Sequence, residues 1–100
     1  MRFADITPEI AAQIQWGRTP QNAGYYFYVN VWNCQARLAL MHNREDGTGT
    51  SQVVEDFDSP LLYRAVEEAG GAINMSGWYP INRRLEAMLR RRLVAREVRG

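Results

Sequence analysis

The sequence contains no lysine: all 12 of its basic residues are arginine. A phosphate-binding loop of the usual kind and a common nuclease constellation both need a lysine, so neither is available. Arginine supplies planar, bidentate contacts to carboxylate or phosphate instead. There is one cysteine, Cys34, so no disulfide can form within the chain, which fits a reducing compartment. There is one histidine, His42, and with a single distant thiol it cannot assemble a zinc site. No stretch approaches the roughly 20 apolar residues that span a bilayer. The opening residues Met1–Glu9 lack the apolar run of a secretory signal. These absences lead us to expect a soluble, cytoplasmic protein that has no membrane contact.

One hundred residues, 46% of them hydrophobic, suit a single domain over 1–100 with a real core. The formal charge of +1 conceals an asymmetry. Residues 1–80 hold five Arg and nine acidic residues, a balance of −4, whereas residues 81–100 hold seven Arg and two Glu, a balance of +5.

The most informative stretch is Tyr25–His42. Tyr25–Trp32 is rich in aromatic and β-branched residues and reads as a strand. Asn33-Cys34 suits a tight turn, and Gln35–His42 returns antiparallel. A two-residue turn pairs Val31 with Ala36, Val29 with Leu38 and Phe27 with Leu40, all apolar. The opposite face then carries Tyr26, Tyr28, Asn30, Trp32, Arg37, Ala39 and Met41. A slip of one residue would swap the faces and scramble this sorting.

Elsewhere, Thr7 caps a short helix with Pro8 at its first position and Gly17 as its stop. Residues 17–24 read as a loop, as does the polar, glycine-bearing stretch Asn43–Thr50. Ser51–Phe57 forms a third strand of ambiguous facing, since Val54 opposes Val53 and Phe57. Ser59-Pro60 starts a helix with the stripe Leu62, Ala65, Val66 and Ala69, stopped by Gly70-Gly71. Residues 72–80 are either an irregular loop or a short edge strand. A final helix from about Pro80–Asn82 presents Leu85, Met88, Leu89 and Leu93, with Glu86 and Arg90 at the spacing of an i,i+4 pair. The expected fold is α+β: a three-stranded antiparallel sheet, four-stranded if 72–80 adds a strand. The N-terminal helix and two C-terminal helices pack on one of its faces.

The chemistry points to binding. A sheet with one helical layer leaves its other face wet, and Tyr, Trp and Arg are the side chains enriched at binding hot spots. The candidate partner-binding residues are therefore Tyr26, Tyr28, Asn30, Trp32, Arg37 and Met41. A second candidate surface is the arginine-rich last helix, whose Arg83, Arg84, Arg90, Arg91, Arg92, Arg96 and Arg99 suit phosphate contacts in a small nucleic-acid-binding module. These arginines occupy several helix azimuths, as on the solvated side of an amphipathic helix. A third reading is a homo-oligomerising structural protein, such as a homodimer, whose aromatic face meets its own copy. Cys34 and His42 fall about 25 Å apart at about 3.3 Å per residue, too far for a nucleophilic pair. Glu55, Asp56 and Asp58 precede a helix, where carboxylates ordinarily serve free amides. No acid–base, nucleophile or metal set converges, so the expectation is a non-enzyme without a cofactor.

The chain resembles the very small phage-encoded anti-CRISPR proteins that inhibit type I surveillance complexes. The resemblance rests on Asp56-Phe57-Asp58-Ser59, the helix from Pro60, the break over Gly70–Gly77, and Leu85-Glu86-Ala87-Met88 running to Arg91-Arg92. It covers about residues 25–92, and the chain departs from it in its extra N-terminal helix and longer segment before the last helix. It implies a protein inhibitor whose sheet-face tyrosines and charged groups contact a bacterial CRISPR–Cas complex. The resemblance gives that role, by analogy, to Tyr26, Tyr28, Asn30 and Arg37.

Overall fold

A computed structural model describes residues 1–17 and 22–99, with side chains through Ala95. The expected loop over 17–24 thus falls partly outside the described residues, as do the side chains of Arg96 and Arg99. Strands β1 (Gly24–Trp32) and β2 (Gln35–Asn43) form the hairpin in the register expected from apolar sorting. Val31 pairs with Ala36, Val29 with Leu38 and Phe27 with Leu40. Asn33 and Cys34 make the turn with φ of 54° and 58°. Both are left-handed, as a two-residue turn matched to the strand twist demands. Asn tolerates this conformation, but Cys34 carries a Cβ that strains it. Cys34→Gly is therefore expected to raise stability by about 0.5–1 kcal/mol, read as a higher midpoint in urea with unchanged slope.

Two further strands complete an antiparallel sheet of order β3-β2-β1-β4. β3 (Gly49–Val53) is shorter than the expected Ser51–Phe57. After it, Val54 N still donates to Leu38 O at 2.8 Å, and the chain then turns. That turn resolves the ambiguous facing, because Val54 and Phe57 both reach the core despite their opposite parity. β4 (Gly77–Pro80) pairs with the free side of β1, so 72–80 ends in an edge strand. Proline is tolerated there because an edge residue can do without its N–H. Ahead of it, Gly71 lies under the Tyr79 ring, where any Cβ would collide.

Each helix starts as its capping residues direct. In α1 (Pro8–Ala12), Thr7 Oγ1 accepts from Ile10 N at 3.2 Å. In α2 (Pro60–Glu68), Ser59 Oγ accepts from Leu61 N at 3.2 Å. In α3 (Arg83–Arg99), Asn82 Oδ1 accepts from Leu85 N at 2.8 Å. The length of α1 corrects the expectation that Gly17 stops it. The helix ends at Ala12 because Ile14 leaves to bridge Tyr25, and Gln15 N donates to Tyr25 O at 2.9 Å. Ala69 likewise lies exposed past the end of α2, so the buried stripe is Leu62, Ala65 and Val66.

All three helices pack against the same sheet face. Phe27, Val29, Val31, Ala36, Leu38 and Leu40 meet Leu62, Ala65 and Val66 of α2 and Leu85, Leu89 and Leu93 of α3. Ile10 and Ala11 of α1 join from the side. Phe3, Ile6 and Ile14 bring the N-terminal segment into the same core. Asp56 pins that segment, accepting from Phe3 N at 2.7 Å. This bond, with Arg2 nearby, holds the Asp56 carboxyl below the usual carboxylate range. Asp56 thus tethers the N-terminal segment rather than an amide of α2, which Ser59 serves instead.

Candidate interaction surface

The register places Tyr26, Tyr28, Asn30 and Trp32 of β1 on the sheet face opposite the helices, beside Gln35, Arg37, Ala39 and Met41 of β2. β4 extends this face: Trp78 lies opposite Asn30 and Pro80 opposite Tyr28. Arg37, Asn30 and Trp78 therefore form one row across three strands. Arg37 is the only charged side chain at these positions, and its guanidinium donates to Gln35 Oε1 at 2.6 Å.

The face has two distinct ends. Toward the hairpin turn it is open: Trp32 is 71% exposed, Trp78 45% exposed, Arg37 exposed and Asn30 half-buried. Toward the start of β1 it is roofed, which corrects the expectation for Tyr26. That residue is only 2% exposed. Its hydroxyl donates to Asn22 O at 2.8 Å and lies 3.3 Å from Gln15 Oε1, so the segments around those residues close over the ring. Ala39 is fully buried and Met41 half-buried on the same side. Of the six residues singled out from sequence, Tyr28, Asn30, Trp32 and Arg37 come together at the open end, whereas Tyr26 and Met41 lie toward the covered end.

Tyr28 sits at the boundary. Trp78 stands edge-on to its ring with centroids 5.7 Å apart, an arrangement aromatic pairs favour. Its hydroxyl is buried and has no hydrogen-bond partner among the described residues. Burial, with Tyr26 beside it, pushes the phenol above its ordinary pKa. Trp78 is the residue that sequence reasoning missed as a surface element. Four strand residues are too few for a periodicity to register, and only the choice of the strand alternative for 72–80 places it on this face.

The tryptophans differ enough to be told apart in solution. Trp16 packs on Phe27 at 5.6 Å and is covered by the Arg90 guanidinium at 4.9 Å. In variants that retain one tryptophan each, acrylamide quenching is expected to be strongest for Trp32, intermediate for Trp78 and weakest for Trp16. Equal quenching of all three would contradict the two-ended face.

The arginines of α3 are less uniform than the sequence suggested. Arg90 pairs with Glu86 at 3.3 Å, as expected, and also covers Trp16. Arg92 lies 4.8 Å from the Phe3 ring centre and 5.2 Å from that of Phe57. Both guanidiniums therefore pack on core-lining rings. Arg83, Arg84 and Arg91 are exposed. Cys34 is exposed at the hairpin turn, and His42 stacks on Tyr25 with centroids 4.1 Å apart. Among the described residues, no three of His, Cys, Asp and Glu gather closely enough to hold a metal ion, and no helix is long and apolar enough to cross a membrane. No family model matches the chain, and no curated protein or solved structure matches it.

Proposed function

We propose that this chain is a non-enzymatic protein inhibitor that lays the open end of its sheet face against a protein surface of a bacterial type I CRISPR surveillance complex. One observation carries the binding half of this reading: Trp32 and Trp78 are both exposed on a face that none of the described helices covers, near a single charge, Arg37. Large rings with few rotatable bonds lose little entropy on docking, and a lone guanidinium among them gives orientation. The choice of partner rests on the resemblance to phage-encoded inhibitors. In this reading the protein works in the cytoplasm of the bacterial host and needs no cofactor.

The test uses a purified type I complex and its target DNA. Equimolar addition of the chain is expected to abolish DNA binding by the complex, and Arg37→Glu is expected to weaken inhibition by about tenfold or more. Unchanged DNA binding in the presence of a large excess of the chain would remove this partner.

A further inference from the structure

The helix-side face of the sheet is not wholly covered. α2 and α3 occupy the part built from Val31, Ala36 and Leu38, and the N-terminal segment lies across the other end. Between that segment and the strands remains a cavity of about 220 Å³ lined by Met1, Ile10, Tyr25, Leu40, His42, Arg44, Thr50 and Gln52.

The strand register explains why these side chains meet. Leu40 pairs with Gln52 and His42 with Thr50, and alternation sets all four on the same face. Tyr25 pairs with His42 across β1 and β2. The floor is apolar, from Leu40 of the sheet and Ile10 of α1, while the rim is polar. Among the described lining residues none is acidic, although His42 and Arg44 both line the cavity. The Arg44 guanidinium makes long hydrogen bonds, 3.4 Å to Thr48 Oγ1 and 3.5 Å to Thr50 Oγ1. The Asp46 carboxylate outside the lining feels the Arg44 charge but spends its hydrogen bonds on Thr48, accepting from Thr48 N at 2.9 Å and from Thr48 Oγ1 at 2.7 Å. The His42 ring is held in place by its stack on Tyr25.

We propose that this cavity binds a small aliphatic carboxylate, with its alkyl chain on Ile10 and Leu40 and its carboxylate at Arg44 and His42. A guanidinium beside neutral donors matches a carboxylate in shape and charge, and the absence of an acidic lining group disfavours an amine. This site is independent of the aromatic face, which lies on the other side of the sheet, so the proposal stands whether or not the inhibitor reading does.

The probe is sodium butyrate, with butanol and butylammonium chloride as controls at constant ionic strength, followed by amide and side-chain NMR of the full chain. Butyrate is expected to give saturating shifts at His42, Arg44, Thr50 and Gln52 with millimolar affinity, the range open to so few heavy atoms. The two controls are expected to give none there. Arg44→Gln, at an exposed position where folding is not at stake, is expected to weaken butyrate binding about tenfold or more. Shifts that stay linear to about 100 mM, equal shifts with either control, or full affinity in Arg44→Gln would each overturn the proposal.

Discussion

Leu38→Ala is expected to remove a large part of the stability of this domain. Leu38 lies fully buried in β2, paired with Val29 and facing the layer of α2 and α3. Removing its branched end leaves a cavity that a strand hydrogen-bonded on both sides cannot collapse, at a cost of about 3–5 kcal/mol. A domain of this size is typically stable by about 5–15 kcal/mol. The thermal midpoint, followed by far-ultraviolet circular dichroism, should fall by about 12 °C or more. A fall of only a few degrees would mean that the helices do not pack over the centre of the sheet.

The second large effect is on binding. The double variant Trp32→Ala, Trp78→Ala is expected to fold cooperatively and to lose affinity for its partner by about a hundredfold or more. Trp32 has little to lose structurally, being 71% exposed at the end of its strand. Trp78 gives up its edge-on contact with Tyr28, worth about 0.5–1.5 kcal/mol. The pair separates surface from core better than a variant at Tyr28, whose half-buried ring and buried hydroxyl tie it to its neighbours. Calorimetric titration against the type I complex, alongside a thermal melt of the free variant, reads both quantities. Unfolding would place these rings in the core. Full affinity would remove them from the interface.

The contrast between Leu38 and Trp32 also shows how far the sequence could be read. The hairpin was legible because two independent constraints agree. Only a two-residue turn at Asn33-Cys34 makes each facing pair apolar, and the same turn sends Tyr28, Trp32 and Arg37 to the other side. The starts of α1 and α2 were legible because Thr7-Pro8 and Ser59-Pro60 state them locally. What failed was whatever depends on contacts distant in sequence. Gly17 looks like a helix stop, but the bridge from Ile14 to Tyr25 ends α1 earlier. Tyr26 sits on the aromatic face by alternation, yet its hydroxyl bond to Asn22 O draws it under cover. Val54 and Phe57 have opposite parity, and a turn after Val54 brings both inward. The structure adds one residue to the candidate site, Trp78, and makes Tyr26 largely inaccessible.

Contacts distant in sequence also set the surroundings of the α3 arginines. A helix wheel treats each arginine as solvated, but Arg90 and Arg92 lie across Trp16, Phe3 and Phe57. Their aliphatic stems and guanidinium planes cover rings that would otherwise meet water. All five described arginines of α3 remain exposed, but only Arg83, Arg84 and Arg91 are not laid across a ring.

The central claim is that the uncovered end of the sheet, rather than the arginine helix, meets the partner. Hydrogen–deuterium exchange of the chain, free and bound to a type I surveillance complex, measures this directly. The account predicts added protection in β4 around Trp78 and along β1 and β2 from Tyr28 to Arg37, with α3 unchanged from Arg83 to Arg91. Protection confined to α3, or none anywhere at saturating complex, would contradict it.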